Sequence, residues 1–100
     1  TGMDMAVPKG TPIYAAESGV VIVAQTWSGY GNTIIINHGG GLWTLYGHIL
    51  NGGILVEKGE EVKRGDKIGL VGKTGTATGY HLHFEVRKNG EPVNPAPYLK

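Results

Sequence analysis

The sequence predicts a single all-β domain with almost no helix, and three observations support this prediction. The 100 residues contain 18 Gly and 5 Pro, roughly twice the ordinary usage of about 12%, and these residues separate short β-branched runs. No stretch of about eleven residues keeps the apolar period of a helix without a Gly or Pro inside it. Turn signals recur roughly every ten residues, a spacing typical of a compact sandwich or barrel of antiparallel sheets.

The first four strands are predicted where β-branched and aromatic residues run between turn residues. They are Pro12–Ala16, Val20–Thr26, Asn32–His38 and Leu42–Ile49. Small and glycine-rich segments separate them, because glycine and serine accept the backbone angles and local hydrogen bonds of turns. These segments are Glu17-Ser18-Gly19, Ser28-Gly29-Tyr30-Gly31 and the three glycines after His38.

The later strands follow the same logic and complete the predicted sheet. They are Ile54–Val56, Lys67–Val71, His81–Arg87 and the short Pro92–Val93. The Asn89-Gly90 pair between the last two predicts a type I′ hairpin, because both residues tolerate a positive φ. We therefore expect an antiparallel core with a second, smaller sheet, all within one domain spanning residues 1–100.

Composition excludes several classes of protein. The net charge is +1 and the nine basic residues are scattered, so no nucleic-acid partner is expected. The absence of Cys rules out a disulfide scaffold, a zinc ribbon and a thiol nucleophile. The apolar stretch from Gly19 to Ala24 is too short to span a bilayer, and no signal peptide opens the chain. We expect a monomer, and a chain that begins with Thr1 suggests a processed or truncated piece.

The His81-Leu82-His83 segment is the first candidate site. Residues i and i+2 of a strand point to the same face, so both imidazoles could reach one zinc ion. Leu82, Phe84 and Val86 would then face the core. The alternative is a polar strand face that carries two histidines without function.

Two further histidines differ in their surroundings. His48 ends an alternating strand beside a glycine, where functional side chains are often positioned, although a solvated strand end explains it equally well. His38 precedes three glycines and is interpreted as a structural residue beside a turn.

Two acids complete the candidate set. Asp4 is the only acid among the first sixteen residues, and it is either a turn residue or a metal ligand. Glu85 shares the strand face of His83, so it could support that histidine or form an exposed pair with Arg87, and we favour the exposed pair. The loop from Thr74 to Tyr80 could present its backbone to an extended peptide, or it could be a flexible connection.

These residues, taken together, resemble the lysostaphin-type (LytM-like) zinc metallopeptidases, which cleave peptide cross-links of bacterial peptidoglycan. The likeness covers nearly the whole chain. The motifs that carry it are Gly2-Met3-Asp4, Pro8-Lys9-Gly10-Thr11-Pro12, Gly29-Tyr30-Gly31-Asn32, Thr44-Leu45-Tyr46-Gly47-His48, Gly65-Asp66-Lys67-Ile68-Gly69, Thr74-Gly75, Gly79-Tyr80-His81-Leu82-His83-Phe84-Glu85-Val86, Asn94-Pro95 and Tyr98-Leu99.

The resemblance implies a LytM-like β-sandwich with a duplicated hybrid motif. It implies that Asp4 and His83 bind Zn²⁺, and that His48 and His81 are catalytic. The implied partners are the peptide stems or cross-bridges of peptidoglycan, cut at Gly–Gly bridges or at D-Ala cross-links. The implied location is therefore extracellular, periplasmic or cell-wall associated.

One position departs from the family pattern. The family opens with His-x-x-x-Asp, whose His is a zinc ligand, and Asp4 places that His immediately before Thr1. We expect a truncation just upstream of Thr1, because the other site positions are intact. The alternative is a catalytically incomplete member that acts as a cell-wall-binding or hydrolase-activating module.

A carrier module is the competing class of function. The segment from Glu57 to Gly69 also looks like the turn-rich half of a lipoyl or biotinyl carrier domain. Such carriers present one lysine at the tip of a tight hairpin, and this segment contains no such lysine. A carrier would also leave Asp4 and the aligned histidines unexplained.

Overall fold

The computed structural model describes residues 2–98, and nine strands dominate it. The strands are β1 (Met3–Ala6), β2 (Pro12–Tyr14), β3 (Gly19–Trp27), β4 (Gly31–Asn37), β5 (Leu42–Ile54), β6 (Glu61–Val62), β7 (Lys67–Val71), β8 (His81–Lys88) and β9 (Glu91–Val93). Within these residues the helical structure is one 3₁₀ turn at Ala96–Tyr98, and no helix there has the length and apolarity to cross a membrane. The prediction of an all-β fold with almost no helix is confirmed.

The strands form one continuous antiparallel sheet. Its main path runs β1-β8-β5-β4-β3-β6, while β7 pairs with both β2 and β5, and β9 pairs with β8. The far end of β5 turns toward β7 through a register shift between Ile49 and Ile54. The prediction of a second, smaller sheet is therefore wrong: the β2–β7 pair, which branches from the main path, remains hydrogen-bonded to it through β5.

The core lies where the apolar faces of these strands meet. Its fully buried side chains include Ile34 and Ile36 of β4, Tyr46 of β5, and Phe84 and Val86 of β8. Alternation along β8 sends Phe84 and Val86 into this core, as predicted. The same alternation puts the two histidines of β8 on the other face.

Two strands that were not predicted, and one interstrand segment, are the main differences from the prediction. β1 and β6 contain little of the β-branched and aromatic residues that mark strands, and both form through pairing with β8 and β3. The segment Asn51-Gly52-Gly53, which separates the predicted strands Leu42–Ile49 and Ile54–Val56, lies inside β5. β5 therefore includes the start of the predicted strand Ile54–Val56. Thr1 precedes the first family motif and Leu99 ends the last one, and both lie outside the described residues.

Candidate active site

Pairing between β1 and β8 brings Asp4 beside the two histidines of β8. Asp4 lies opposite His83, and Ala6 lies opposite His81, so the side chains of each pair share one face. Asp4 Oδ1 lies 2.7 Å from His83 Nδ1 and 3.4 Å from His81 Nε2. The hydrogen bond with His83 lowers the pKa of the Asp4 carboxyl below its ordinary value. Asp4 is therefore a carboxylate at neutral pH.

His48 reaches the same space from β5. Its ring centroid lies 4.7 Å from that of His81 and 6.1 Å from that of His83. The four residues predicted from the sequence therefore come together in one open cleft of about 510 Å³. The cleft is lined by Gly2, Asp4, Gly29, Tyr30, His48, Thr76, Ala77, Thr78, His81, His83 and Glu85.

The backbone of His48 adopts a conformation that is rare for a side-chain-bearing residue. Its φ is 61°, in the left-handed region. Three hydrogen bonds hold this conformation. The His48 amide donates to the Tyr30 carbonyl at 2.7 Å, and the Gly72 amide donates to the His48 carbonyl at 3.0 Å. The third bond joins His48 Nδ1 to the Thr74 carbonyl at 2.6 Å.

The bond to Thr74 also fixes the proton on the His48 ring. Because a carbonyl oxygen only accepts, Nδ1 carries the hydrogen and Nε2 is bare in the neutral ring. His48 is 7% exposed, and this burial lowers its pKa, although the Thr74 carbonyl partly opposes the change. His81 Nδ1 donates in the same way to the Gly79 carbonyl at 3.0 Å. Both rings therefore leave Nε2 free of a backbone partner.

The loop that carries Thr74 is anchored where it passes the cleft. Thr74 Oγ1 donates to the Ile49 carbonyl at 2.6 Å and accepts from the Asn32 amide at 3.1 Å. Thr76 binds the Gly29 carbonyl through its amide at 3.1 Å and its hydroxyl at 3.0 Å. The start of the loop is thus a fixed support for His48, and the interpretation as a flexible connection does not apply to it.

Glu85 corrects one expectation. It does pair with Arg87, at 2.8 Å, but it is buried, with 4% of its side chain exposed. It also contacts His83 Nε2 at 2.7 Å and accepts a hydrogen bond from the Tyr30 hydroxyl at 2.7 Å. Burial opposes its ionisation, but the bonds from Tyr30, His83 and Arg87 outweigh burial and lower the pKa of Glu85. The exposed pair was the wrong alternative, since Tyr30 covers this part of β8.

Tyr30, which lines the cleft, and Thr74, whose carbonyl binds His48, carried no individual prediction. Tyr30 belonged to a predicted turn, and Thr74 to a loop of small residues. In the sequence, the only indication of a role for these two residues was that they belong to the family motifs Gly29-Tyr30-Gly31-Asn32 and Thr74-Gly75. His38 lies away from the cleft. Its ring binds the Ser18 carbonyl at 2.8 Å and the Thr44 hydroxyl at 2.7 Å.

The donor chemistry of Asp4 and His83 fits a zinc ion. Zinc accepts carboxylate oxygen and imidazole nitrogen, and ligating histidines usually have their second nitrogen bonded to a carboxylate or carbonyl. His83 has this arrangement, with Asp4 at Nδ1 and Glu85 at Nε2. Among residues 2–98 no group of three or more His, Cys, Asp or Glu side chains is arranged to hold a metal. Asp4 and His83 would therefore supply two of the three protein ligands that a catalytic zinc site usually has.

Comparison with known proteins gives a consistent result. The family model described as "Peptidase family M23" matches residues 1–95. A curated relative, the DD-carboxypeptidase/endopeptidase Mpg of Neisseria meningitidis, is 45% identical over 95 residues, which are 95% of this chain and 21% of Mpg. Another, the murein hydrolase activator EnvC of Escherichia coli, is 40% identical over 98% of this chain and 23% of its own length. The chain thus spans about a fifth of these relatives.

A solved structure agrees with the fold described above. It is a zinc-containing peptidase from Vibrio cholerae, with 47% identity and a TM-score of 0.86. The match covers 92% of this chain and 28% of that protein.

Proposed function

This chain belongs to peptidase family M23, as the resemblance to lysostaphin-type metallopeptidases predicted, and we propose that it is a zinc-dependent endopeptidase acting on peptide cross-links of peptidoglycan. The observation that carries the proposal is the cleft itself. One carboxylate and three imidazoles, from strands far apart in the chain, converge there. Metal-assisted amide hydrolysis needs metal ligands beside groups that move protons near neutral pH.

In this proposal Asp4 and His83 hold the metal, together with the His that the family pattern places before Thr1. Bound zinc would acidify a water molecule and polarise the scissile carbonyl. The relative from Vibrio cholerae is a zinc-containing peptidase, which supports zinc as the metal. Three protein ligands and one open position are the usual set of a catalytic zinc site.

His48 and His81 would perform the proton chemistry. The Thr74 and Gly79 carbonyls hold each Nδ1–H, so that Nε2 of each ring can accept or donate a proton. The lowered pKa of His48 keeps it neutral at pH 7, as a proton acceptor requires. Together the two rings would orient the water, take its proton and stabilise the developing oxyanion.

The proposed substrate is an extended peptide stem or cross-bridge of peptidoglycan. The cleft is open, and Thr76, Ala77 and Thr78 line it with small side chains, which leaves room for a peptide backbone. Mpg is a carboxypeptidase/endopeptidase by name, which supports a peptide bond as the target. Because peptidoglycan lies outside the cytoplasmic membrane, we place the activity there.

Digestion of purified cell walls tests the proposal. The chain with one His added directly before Thr1, which completes the proposed ligand set, is loaded with zinc and incubated with walls containing Gly–Gly bridges and, separately, with walls containing D-Ala cross-links. Soluble peptides are then identified by mass spectrometry. We expect zinc-dependent release of peptides from one wall type, with His48→Ala as the inactive control. If zinc binds tightly and neither wall is cleaved, the similarity to the activator EnvC gives the better description.

A further inference from the structure

We infer that Glu85 is a positioning residue that fixes which nitrogen of His83 faces Asp4, with Tyr30 and Arg87 holding Glu85 in place. The inference deepens the proposed function and rests on it, because it takes His83 to be a metal ligand. It assigns a purpose to a buried acid that the proton chemistry of the cleft does not use.

The two nitrogens of His83 have different partners. Nε2 lies 2.7 Å from Glu85 Oε2, and Nδ1 lies 2.7 Å from Asp4 Oδ1. A carboxylate accepts hydrogen bonds and donates none, so the contact with Glu85 requires a hydrogen on Nε2. In the metal-free chain the contact with Asp4 requires a hydrogen on Nδ1 by the same argument. Because Nδ1 is directed to β1, it is the nitrogen that would give up its hydrogen to a metal shared with Asp4, while Glu85 keeps the hydrogen on Nε2.

Glu85 is itself held on both oxygens. The Tyr30 hydroxyl donates to Oε2 at 2.7 Å, while Arg87 donates to Oε1 from Nε at 3.1 Å and from Nη2 at 2.8 Å. Its side chain is 4% exposed. A buried carboxylate is costly unless hydrogen bonds satisfy it, and here donors from β8 and from the turn before β4 do so.

A simple Glu85–Arg87 ion pair does not explain this arrangement. That pair could form at the surface, as i and i+2 residues on one strand face often do. Such a surface pair needs neither the burial of Glu85 nor its contact with Tyr30, which lies 55 positions earlier in the chain. The Tyr30 ring also packs over His83, with 5.5 Å between ring centroids. Tyr30 therefore restrains the ligand directly and through Glu85.

Orientation of a ligating ring by an outer carboxylate has a measurable consequence. Loss of such a partner typically weakens metal affinity by about 10- to 100-fold. Without Glu85 the His83 ring can rotate and present the wrong nitrogen, or carry its hydrogen on Nδ1. The effect should therefore appear in zinc affinity and in the ring's protonation, and not only in activity.

The first test needs no variant. In the metal-free chain labelled with ¹⁵N at histidine, we expect the NMR spectrum of His83 to show a protonated Nε2. A neutral His83 ring with its hydrogen on Nδ1 and a bare Nε2 would overturn the inference.

The second test compares zinc dissociation constants, measured by competition with a chelator. Glu85→Gln should weaken zinc binding about 10- to 100-fold, because an amide cannot serve both Oε2 and Oε1 as acceptors. Tyr30→Phe keeps the ring and removes one donor, so it should weaken binding in the same direction by less. If Glu85→Gln does not fold, Tyr30→Phe decides the question.

Glu61→Gln is the matched control, because it removes the same charge from an exposed position on β6, at the opposite edge of the sheet. Its zinc affinity should equal that of the unaltered chain. Equal affinity in Glu85→Gln and Glu61→Gln, with loss in His83→Ala, would overturn the inference and leave the proposed function intact. Unchanged zinc binding in His83→Ala would instead remove the ligand set of the proposed function.

Discussion

The imidazoles of this chain differ in what their two nitrogens touch, and those contacts divide their roles. His83 meets a carboxylate at each nitrogen. His48 and His81 each meet one backbone carbonyl at Nδ1 and leave Nε2 without a backbone partner, although His81 Nε2 lies 3.4 Å from Asp4 Oδ1. His38 has both nitrogens occupied by partners outside the cleft. Side-chain substitution can therefore separate metal binding, proton transfer and stability.

Substitutions in the cleft should separate zinc binding from turnover. His83→Ala and Asp4→Ala should lower zinc affinity, since each removes a proposed ligand. His48→Ala and His81→Ala should keep zinc and reduce turnover by about 100-fold or more, the usual share of acid–base catalysis. Zinc content by plasma emission and peptide release from walls measure the two effects. Loss of zinc in His81→Ala equal to that in His83→Ala would contradict this division.

The pH dependence of cleavage should reflect His48. Burial lowers its pKa below the ordinary 6.5, so the ring is neutral and able to act as a proton acceptor above that pH, and it becomes protonated only below it. Cleavage should therefore be retained as the pH falls to 6.5 and decline only at lower values. Initial rates across about pH 4.5 to 8.5, about two units on either side of that value, with zinc content measured at each pH, test this. A decline that begins above pH 7 with zinc still bound would count against His48 as the acceptor.

His38 should affect stability alone. Its Nδ1 donates to the Ser18 carbonyl, and its Nε2 binds the hydroxyl of the buried Thr44. His38→Ala leaves that hydroxyl with the Tyr46 hydroxyl as its remaining partner, so it should cost about 0.5–1.5 kcal/mol of unfolding free energy. Urea denaturation measures the cost. Zinc affinity and cleavage per folded molecule should match the unaltered chain, and a loss of either would show that His38 contributes to the cleft.

At the scale of elements, the cleft depends on a close crossing of two turns. The turn before β4 and the loop after β7 meet at Gly31 and Gly75, which have φ values of 70° and 75°. A Cβ on Gly75 would lie 2.6 Å from the Gly29 carbonyl oxygen and closer still to the Gly31 amide nitrogen. Glycine is thus required at Gly75 both for its φ and for the space. The crossing holds the Thr74 carbonyl against His48.

Gly75→Ala should therefore damage both stability and the cleft. Gly52→Ala is a matched control, because Gly52 has a φ of 76° and open space around its Cβ position. The control should lose about 1–2 kcal/mol for its backbone conformation alone. Gly75→Ala should lose about 1–3 kcal/mol more from the steric clash, together with cleavage activity. Equal unfolding free energies for the two variants would show that the crossing can relax.

At the scale of the whole molecule, the proposed zinc binding depends on the edge strand β1. This strand holds Asp4 near the N-terminal end of the described residues, and ends of chains fray unless other contacts hold them. Metal binding would help to order β1 because binding energy contributes to folding. Two ligands alone should bind zinc weakly.

Addition of one His directly before Thr1 should therefore restore tight zinc binding. The 100-residue chain should fold, lose zinc on dilution and show little cleavage, whereas the extended chain should bind zinc and cleave walls. Zinc content after dialysis and clearing of a wall suspension compare the two chains side by side. An added Ala at the same position is the control. Equal zinc retention with His and with Ala would contradict the proposed third ligand.

The sequence by itself predicted the local features of this protein. Alternation along β8 sent Phe84 and Val86 inward and His81 and His83 outward, because a strand's side chains have a period of two whatever surrounds them. Turn residues placed most strands for the same local reason. The family motifs pointed to the residues that share the cleft, and the all-β fold followed from the distribution of glycine.

Only the tertiary structure decided which distant residues meet. β1 has little strand propensity of its own, and its pairing with β8 puts Asp4 against a histidine 79 positions later. Glu85 looked exposed because nothing local covers it, and its burial comes from Tyr30, 55 positions earlier. Strand propensity and alternation act between near neighbours, whereas register and burial are set by contacts between distant segments. Those long-range contacts set the partners of each ring nitrogen in the cleft.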